Sequence, residues 1–262
     1  MCVNENELHY NPIPPKNVII YKAPSKLEES TSLKNSGYLH INNFSGSSNW
    51  TQNDYLTIVS HEFKNGEGII TFEDDIVSIG PYAFLGCNTI TEIKLPDSVT
   101  NIYNDAFYNC SGLVNIIIGN SVTTLGMRAF QNCSSLVSII LPNTLVNTNY
   151  DTFNNCTSLT NINIPNSLSE IRSGIFANCT SLTSIDIPNS VTSIGLSAFF
   201  NCSGLTSATI EAIDPPTLEE NSYNMGNTFP GSYPIYVPST SVEVYKANNS
   251  WSIYASRIQA IP

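Results

Sequence analysis

The chain has 262 residues, of which 41% are hydrophobic and only 12% are charged. Its 21 acidic and 10 basic side chains give a net charge of −11 at pH 7, which excludes the basic surface that nucleic-acid binding needs. No apolar run approaches the ~20 residues of a membrane-spanning helix. No N-terminal stretch is typical of a signal peptide.

The N-terminal region predicts a small group of β-strands. Apolar runs at 18–21 and 38–41 are strand candidates, and the polar segment between them predicts a loop. Asn65-Gly66 lies between apolar runs at 55–63 and 68–72, which is the pattern of a β-hairpin. Part of the second run, 69–72, also aligns with the strand of the repeat that follows, so we expect it to begin a degenerate first coil.

An internal repeat of 23 residues organises the centre of the chain. Cysteine and phenylalanine both recur at this spacing. The cysteines are Cys87, Cys110, Cys133, Cys156, Cys179 and Cys202. The phenylalanines are Phe84, Phe107, Phe130, Phe153, Phe176 and Phe199. Because the same period governs different residue types, the copies are expected to be equivalent coils that stack on one another.

Each copy predicts a short strand followed by a helical turn. The fullest copy, at 182–202, reads LTSIDIPNSVTSIGLSAFFNC. Ile185 and Ile187 alternate with polar residues as in a strand, and Pro188 ends it. From Ile194 onward, spacings of three and four favour a turn of α- or 3₁₀-helix. One copy buries too few apolar side chains to offset the ordering of its backbone, so the copies must stack as a parallel solenoid with one strand per coil.

Some copies depart from this pattern. In the fourth copy, Thr148 and Asn149 replace the residues that correspond to Ile194 and Gly195. In the last copy, Ala208 replaces the inner isoleucine of the strand. These changes predict local irregularity within an unchanged architecture.

The residues after the repeats predict a cap on the open end of the solenoid. Asp214-Pro215-Pro216 interrupts the repeat, and YPIYVP at 233–238 has the pattern of another strand ended by proline. The apolar spacing within 239–258 fits a short amphipathic helix laid over the last coil. Charged residues are concentrated in the two flanks, which leaves the array between them nearly neutral.

The consensus LxxIxIPxSVTxIGxxAFxxC resembles the leucine-rich repeat family, specifically its 23-residue bacterial surface-protein class, called BspA-like. The resemblance implies a leucine-rich repeat solenoid with one short parallel strand per coil, short helical or 3₁₀ turns, and caps at both ends. The expected organisation is a β-rich N-terminal cap region at 1–66, a repeat array at 67–211 and a strand-and-helix C-terminal cap at 212–262.

The repeated cysteines and asparagines each allow two interpretations. Stacked coils could bring thiols together as disulfides or around a metal, but metal sites use clusters and not one thiol per coil. We therefore expect each repeat cysteine to be a small buried apolar residue, with no metal and no cofactor. The count of seven leaves at least one cysteine unpaired, for which Cys2 is the candidate. The recurring Asn-Cys-Ser/Thr triplets match the glycosylation pattern, but a buried cysteine favours a packing role.

No motif indicates a catalytic site. The three histidines, His9, His40 and His61, lie outside the repeats, and none has the second histidine of a zinc-protease motif at the required spacing. The array also offers very few titratable groups for general acid–base chemistry. We expect the protein not to be an enzyme.

Two rows of outward-facing strand residues are candidate ligand-binding residues, because alternation directs two positions per coil away from the core. The first row is Glu92, Asn115, Ser138, Asn161, Ser184 and Ser207. The second row is Lys94, Ile117, Ile140, Asn163, Asp186 and Thr209. The resemblance implies that these rows form a concave face that holds partners. The adjacent Ile117 and Ile140 are either a contact patch or ordinary strand formers under a loop.

The family resemblance implies a non-enzymatic binding module that is secreted or at the cell surface and acts in adhesion or host interaction. Its expected ligand is a protein or a glycan, including a host extracellular-matrix protein. Neither nucleic acid nor a membrane-spanning segment is expected. The alternative is a structural spacer in a larger cell-surface assembly, with self-association through the caps.

Overall fold

In the computed structural model, short strands wind into a solenoid around one continuous apolar core. The structure describes residues 18–23, 41–42, 58–72, 74–219 and 228–262. The strands, in chain order, are β1 (Val18–Lys22), β2 (Ile41–Asn42), β3 (Ile58–Lys64), β4 (Glu67–Phe72), β5 (Ser78–Ile79), β6 (Glu92–Lys94), β7 (Asn101–Ile102), β8 (Asn115–Ile117), β9 (Thr124–Leu125), β10 (Ser138–Ile139), β11 (Asn161–Ile162), β12 (Glu170–Ile171), β13 (Ser184–Ile187), β14 (Ser193–Ile194), β15 (Ser207–Ile210), β16 (Thr217–Leu218), β17 (Ile235–Val237) and β18 (Ile258–Ala260).

The predicted strand of each coil is confirmed, and neighbouring coils pair in parallel. Strands β6, β8, β10 and β11 form one ladder, with residues 23 apart as partners, such as Glu92 with Asn115. Strands β13, β15, β17 and β18 form a second ladder in the same sense. We call the two ladders together the main face. The fold is therefore the parallel solenoid that the repeat predicts.

A regular coil also contains a second strand, where the sequence pattern predicts a helical turn. Strands β5, β7 and β9 pair in parallel, and so do β12, β14 and β16. After β14 the chain forms turns closed by hydrogen bonds such as Ala198 N–H to Gly195 O. Ser197 and Asn201 have φ of 56°, a left-handed conformation that a continuous helix does not allow. The apolar spacings of three and four therefore correspond to consecutive turns and not to a helix.

The irregularity predicted for the fourth copy is confirmed. Thr148 is buried where later copies have isoleucine. In this coil the second strand is reduced to an isolated bridge between Thr124 and Asn147. A buried hydroxyl therefore interrupts the ladder without changing the path of the solenoid.

The N-terminal strands extend the main face in the antiparallel sense. The predicted hairpin around Asn65-Gly66 is confirmed, with φ of 53° and 82° at the two turn residues. Strand β1 lies between β4 and β6 and is antiparallel to both. The run at 69–72, expected to begin a degenerate first coil, belongs to the same sheet as β6, but β1 lies between the two strands. Of the candidate strand at 38–41, only Ile41 lies in the described residues, where β2 pairs with β5.

The C-terminal residues close the solenoid with aromatic side chains. The predicted strand is β17, and the predicted helix is α1 (Val242–Ala247). Buried Trp251 donates a hydrogen bond to Pro216 O at 2.7 Å, and buried Tyr245 donates one to Ala212 O at 2.8 Å. Strand β18 then adds a final strand that the sequence pattern does not predict. In the residues that the structure describes, no helix is long and apolar enough to cross a bilayer.

A ladder of stacked phenylalanine rings runs along the core. From Phe84 to Phe199, consecutive rings are 4.9 to 5.7 Å apart, with interplanar angles of 3° to 16°. Phe229 continues the ladder beyond the repeats at 5.3 Å from Phe199, and Trp251 follows at 5.6 Å from Phe229. The C-terminal residues therefore join the same apolar core.

Candidate binding surface

The strand alternation directs most of the predicted row residues outward. In β8, Asn115 and Ile117 are exposed while Ile116 between them is buried. The exposed members of the two rows are Asn115, Ile117, Ser138, Ile140, Asn161, Asn163, Ser184 and Asp186. Glu92, Ser207 and Thr209 are partly exposed, and only Lys94 is buried. Alternation therefore places the rows correctly, with one exception.

The register brings the row residues together in two groups. Glu92, Asn115, Ser138 and Asn161 are direct neighbours in one ladder. In the other ladder, Ser184 pairs with Ser207, and Asp186 pairs with Thr209. Strands β11 and β13 share no ladder pairing, so the main face has two segments.

Three neighbours of the rows are not predicted by the repeat. Lys22 pairs with Glu92 and Ile20 pairs with Lys94, both through β1. Tyr236 pairs with Thr209 and extends the second row into the C-terminal residues. Tyr236 has a signal in the sequence, since YPIYVP repeats the strand-then-proline pattern. Lys22 has no such signal in the sequence, because it pairs with Glu92, a residue 70 positions away.

A groove of about 550 Å³ lies on the first segment of the main face. Its volume is within the ~300–1,000 Å³ that is usual for ligand sites. Its lining includes Glu92, Lys94, Asp97, Asn115, Ile117 and Ile140. Ile117 is 42% exposed and Ile140 is 81% exposed, so neither isoleucine is covered by a loop. The groove therefore combines charged groups at one end with an aliphatic floor at the other.

Lys94 is buried at the charged end of the groove, with 5% of its surface exposed. Its ammonium lies 3.7 Å from Glu92 Oε1, while the other oxygen of that carboxylate is 3.2 Å from Lys22 Nζ. Two lysines therefore share one carboxylate. Asp97 Oδ1 accepts a hydrogen bond from Asn120 N–H at 2.8 Å. Strand alternation alone predicts Lys94 to be outward and solvated, and its burial is the main surprise of the site.

Asn163 has a structural role in addition to its place in the second row. Its Nδ2 donates to Leu141 O at 2.9 Å, and its Oδ1 accepts from Leu141 N–H at 3.0 Å. At the equivalent position two coils earlier, Leu95 N–H donates to the backbone oxygen of Ile117. A side-chain amide therefore replaces a backbone partner at the end of the first ladder. Replacing Asn163 would disturb the fold as well as the surface.

The repeat cysteines are packing residues, as expected. Five are buried, and each donates a thiol hydrogen bond to the carbonyl oxygen of a phenylalanine 26 residues earlier, as Cys156 does to Phe130 at 3.2 Å. Burial raises the pKa of Cys133 and Cys202 to about 12. Cys87 is partly buried, and desolvation raises its pKa to about 11. The described cysteines are free thiols, while Cys2 lies outside the described residues.

The asparagines of the repeated triplets also serve the turns. Asn109, Asn132, Asn155, Asn178 and Asn201 all have positive φ, between 56° and 63°. Their side chains bond along the stack, as Asn155 Nδ2 does to Asn132 Oδ1 at 2.9 Å and Asn201 Nδ2 to Asn178 Oδ1 at 3.0 Å. Asparagine tolerates this conformation better than most residues, which supports the packing interpretation.

Candidate residues for catalysis or metal binding are not brought together. Of the three histidines, only His61 lies in the described residues, as part of β3. Among the residues with described structure, no group of three or more histidine, cysteine, aspartate or glutamate side chains is arranged to hold a metal ion.

Several solved bacterial structures are similar to this chain. A leucine-rich repeat protein from T. pallidum is 24% identical, with a TM-score of 0.44, and the match covers 51% of this chain and 73% of that one. One from Eubacterium ventriosum is 22% identical, with a TM-score of 0.46 and coverage of 63% and 45%. A leucine-rich cell surface protein from Faecalibacterium prausnitzii is 18% identical, with a TM-score of 0.30 and coverage of 60% and 73%. No curated protein matches the chain.

The family model for the BspA type leucine rich repeat region matches the chain with six copies. The matches cover residues 56–151 and 100–228, which together are more than half of the chain. They include all the coils that carry the cysteine, phenylalanine and outward-facing rows. The chain belongs to the BspA-type leucine-rich repeat family.

Proposed function

We propose that this protein is a surface-associated adhesion or host-interaction module that holds a protein partner on its main face. Leucine-rich repeat solenoids are typically non-enzymatic scaffolds, and they commonly bind proteins. One structure to which the chain is similar is that of a cell surface protein. The proposed contact residues are the two outward rows, together with Lys22 and Tyr236.

The observation that carries this proposal is the exposure of the rows above a rigid core. Small polar side chains such as Asn115, Ser138 and Asn161 stand side by side in register, where they can donate and accept hydrogen bonds. The stacked rings beneath them hold the strands in place before a partner arrives. A preorganised surface loses little conformational entropy on binding, so its contacts contribute more to affinity.

The test uses the full chain and a panel of purified extracellular-matrix proteins in a biosensor assay. Asn161→Arg places a bulky charge in the first row, and Ser203→Arg places the same charge on an exposed turn away from it. We expect the first variant to weaken partner binding at least tenfold, with the melting temperature unchanged, and the second to bind like the parent. Equal binding by both variants would refute the assignment of the main face.

A spacer that self-associates through its caps is the second candidate. The specific observation in its favour is the exposure of Val244, Ile253 and Ile261 near the C-terminal end. Strand β18 is also the last strand of its ladder among the described residues. Light scattering of the full chain and of Val244→Asp tests this candidate. A concentration-dependent oligomer that the substitution dissociates supports it, and a monomer at every concentration rejects it.

A further inference from the structure

We propose that the groove over β6, β8 and β10 recognises an extended peptide that presents a carboxylate and, two residues away, an aliphatic side chain. The inference rests on the proposed function and names the chemistry of the partner at one part of the main face. Three side chains on successive strands carry it: Lys94, Ile117 and Ile140.

At one end of the groove, Lys22 and Lys94 share the single carboxylate of Glu92, while Asp97 in the lining accepts a hydrogen bond from Asn120 N–H. Lys94 is nine-tenths buried, yet its only ion-pair partner among the described residues is Glu92, at 3.7 Å. That carboxylate is closer to Lys22, at 3.2 Å. Desolvating an ammonium is costly unless it is paired. A carboxylate from a partner, entering the groove at Lys94, would give its ammonium a second ion pair.

The other end of the groove is aliphatic where the rest of the array is polar. Ile117 and Ile140 occupy row positions that hold Asn163 and Asp186 in the next two coils. Val114 and Val137 are also exposed, at positions where later coils have Thr160 and Thr183. Those threonines donate hydrogen bonds to the preceding coil, which the valines cannot do. The apolar patch is therefore confined to the two coils beside Lys94, and an aliphatic side chain would bury it.

The spacing of these groups fits an extended chain laid across the strands. Neighbouring strands are ~4.8 Å apart, so Ile117 and Ile140 lie about 5 and 10 Å from Lys94 along the solenoid axis. In an extended peptide, residues i and i+2 face the same way and are ~6.6 Å apart. A carboxylate at Lys94 therefore places the side chain two residues away above the two isoleucines.

The lining favours a peptide over a glycan. Sugar rings have apolar faces that suit flat aromatic side chains, and none is present among the described residues that line the groove. The overall charge of −11 repels an acidic peptide at long range. At ~0.15 M salt this repulsion is screened beyond about 8 Å, while the partly desolvated contact at Lys94 is screened much less.

The test presents the full chain to immobilised eight-residue peptides in physiological salt. One position is Glu, Gln or Lys, and the position two residues further is Leu, Asn or Gly. We expect the Glu-x-Leu peptides to bind at least tenfold more tightly than the Gln-x-Leu peptides, and tighter still than the Lys-x-Leu peptides. Equal binding of the Glu and Gln peptides would overturn the proposal. Binding of the protein to neutral glycans, without binding to any of the peptides, would also overturn it.

Two variants assign the effect to the groove. Lys94→Met keeps the buried aliphatic stem and should remove the preference for Glu over Gln, while Ile140→Asn should remove the preference for Leu over Asn. Ser203→Asn, on an exposed turn away from the main face, should change neither preference. If the peptides fail but Asn161→Arg still abolishes binding of a matrix protein, then the peptide chemistry is wrong and the proposed function stands. If neither assay shows binding, both are wrong.

Discussion

The thiol of Cys133 donates a hydrogen bond to the carbonyl oxygen of Phe107, 3.2 Å away. The ring of Phe107 also stacks on that of Phe130, the next phenylalanine along the chain, at 5.2 Å. A coil is therefore held to its neighbour both by its corner cysteine and by its ring. The stability of the array lies between coils, because a single coil has no partner for either contact.

The buried thiols predict that stability falls as the pH rises above 9. The ordinary thiol pKa is 9.0, and burial raises that of Cys133 to about 12. The unfolded chain therefore releases protons that the folded chain retains, and each such thiol costs about 1.4 kcal/mol of unfolding free energy per pH unit. Urea unfolding should show little change from pH 8 to pH 9 and a steady loss of stability above pH 9. Cys133→Ala should make the slope shallower, and a flat profile in the parent would contradict the burial.

Two adjacent phenylalanines provide a matched test of the ring ladder. Phe199 is buried between Phe176 and Phe229, whereas Phe200 is 44% exposed. Phe199→Ala should lower the free energy of unfolding by about 3–5 kcal/mol, because it removes a buried ring and leaves a cavity. Phe200→Ala should change it by no more than about 0.5 kcal/mol. Chemical denaturation measures both, and similar losses would show that the ladder is not what stabilises the coils.

The left-handed turn position predicts that glycine is favourable in each of two neighbouring coils. Ser197 has φ of 56°, and the equivalent Gly174 has φ of 66°. Ser197→Gly should stabilise the fold by about 0.5–1 kcal/mol, because relief of the left-handed strain exceeds the entropy lost by glycine. Gly174→Ala should destabilise it, since a methyl group there would also clash with the carboxylate of Asp151. Thermal melting should rise in the first variant and fall in the second. Ser203→Gly, at a residue without positive φ, should not stabilise.

Asn163 and Asn161 allow a comparison between an amide that holds the fold and an amide that is only exposed, two residues apart in the chain. Asn163→Ala leaves the backbone N–H and C=O of Leu141 without the side-chain partners they have now. The expected cost is about 1–3 kcal/mol of unfolding free energy. Asn161→Ala, at an exposed position, should cost no more than about 0.5 kcal/mol. Equal costs in urea unfolding would mean that the amide of Asn163 does not hold the ladder.

The period of the array could be predicted because equivalent residues recur at a fixed spacing along the sequence. The 23-residue recurrence of Cys133 and Phe130 in equivalent positions is visible in one dimension, and packing between coils demands it. The second strand of each coil could not be recognised in this way. It is only two residues long, as in Ser193–Ile194, and two residues do not establish an alternation.

The ends of the solenoid depend on contacts that are distant in sequence. Phe229 continues the ring ladder from Phe199, but 30 residues separate them, so the period does not point to it. Lys22 reaches Glu92 through an inserted antiparallel strand, which no local pattern predicts. Lys94 pairs with Ile20 of the same inserted strand, a neighbour that is also distant in the chain. The rows of the site were therefore predictable, and the electrostatics of the groove were not.

The most direct test of the main face as the binding surface is to block it at one point. In a chain with Cys2 and Cys87 replaced by serine, Asn161→Cys or Phe200→Cys can be coupled to a maleimide-linked polyethylene glycol, since the other cysteines are buried. We predict that the polymer at position 161 abolishes binding to a captured matrix protein in the biosensor, while the polymer at position 200 leaves it intact. Full binding with the polymer at position 161 would contradict the account.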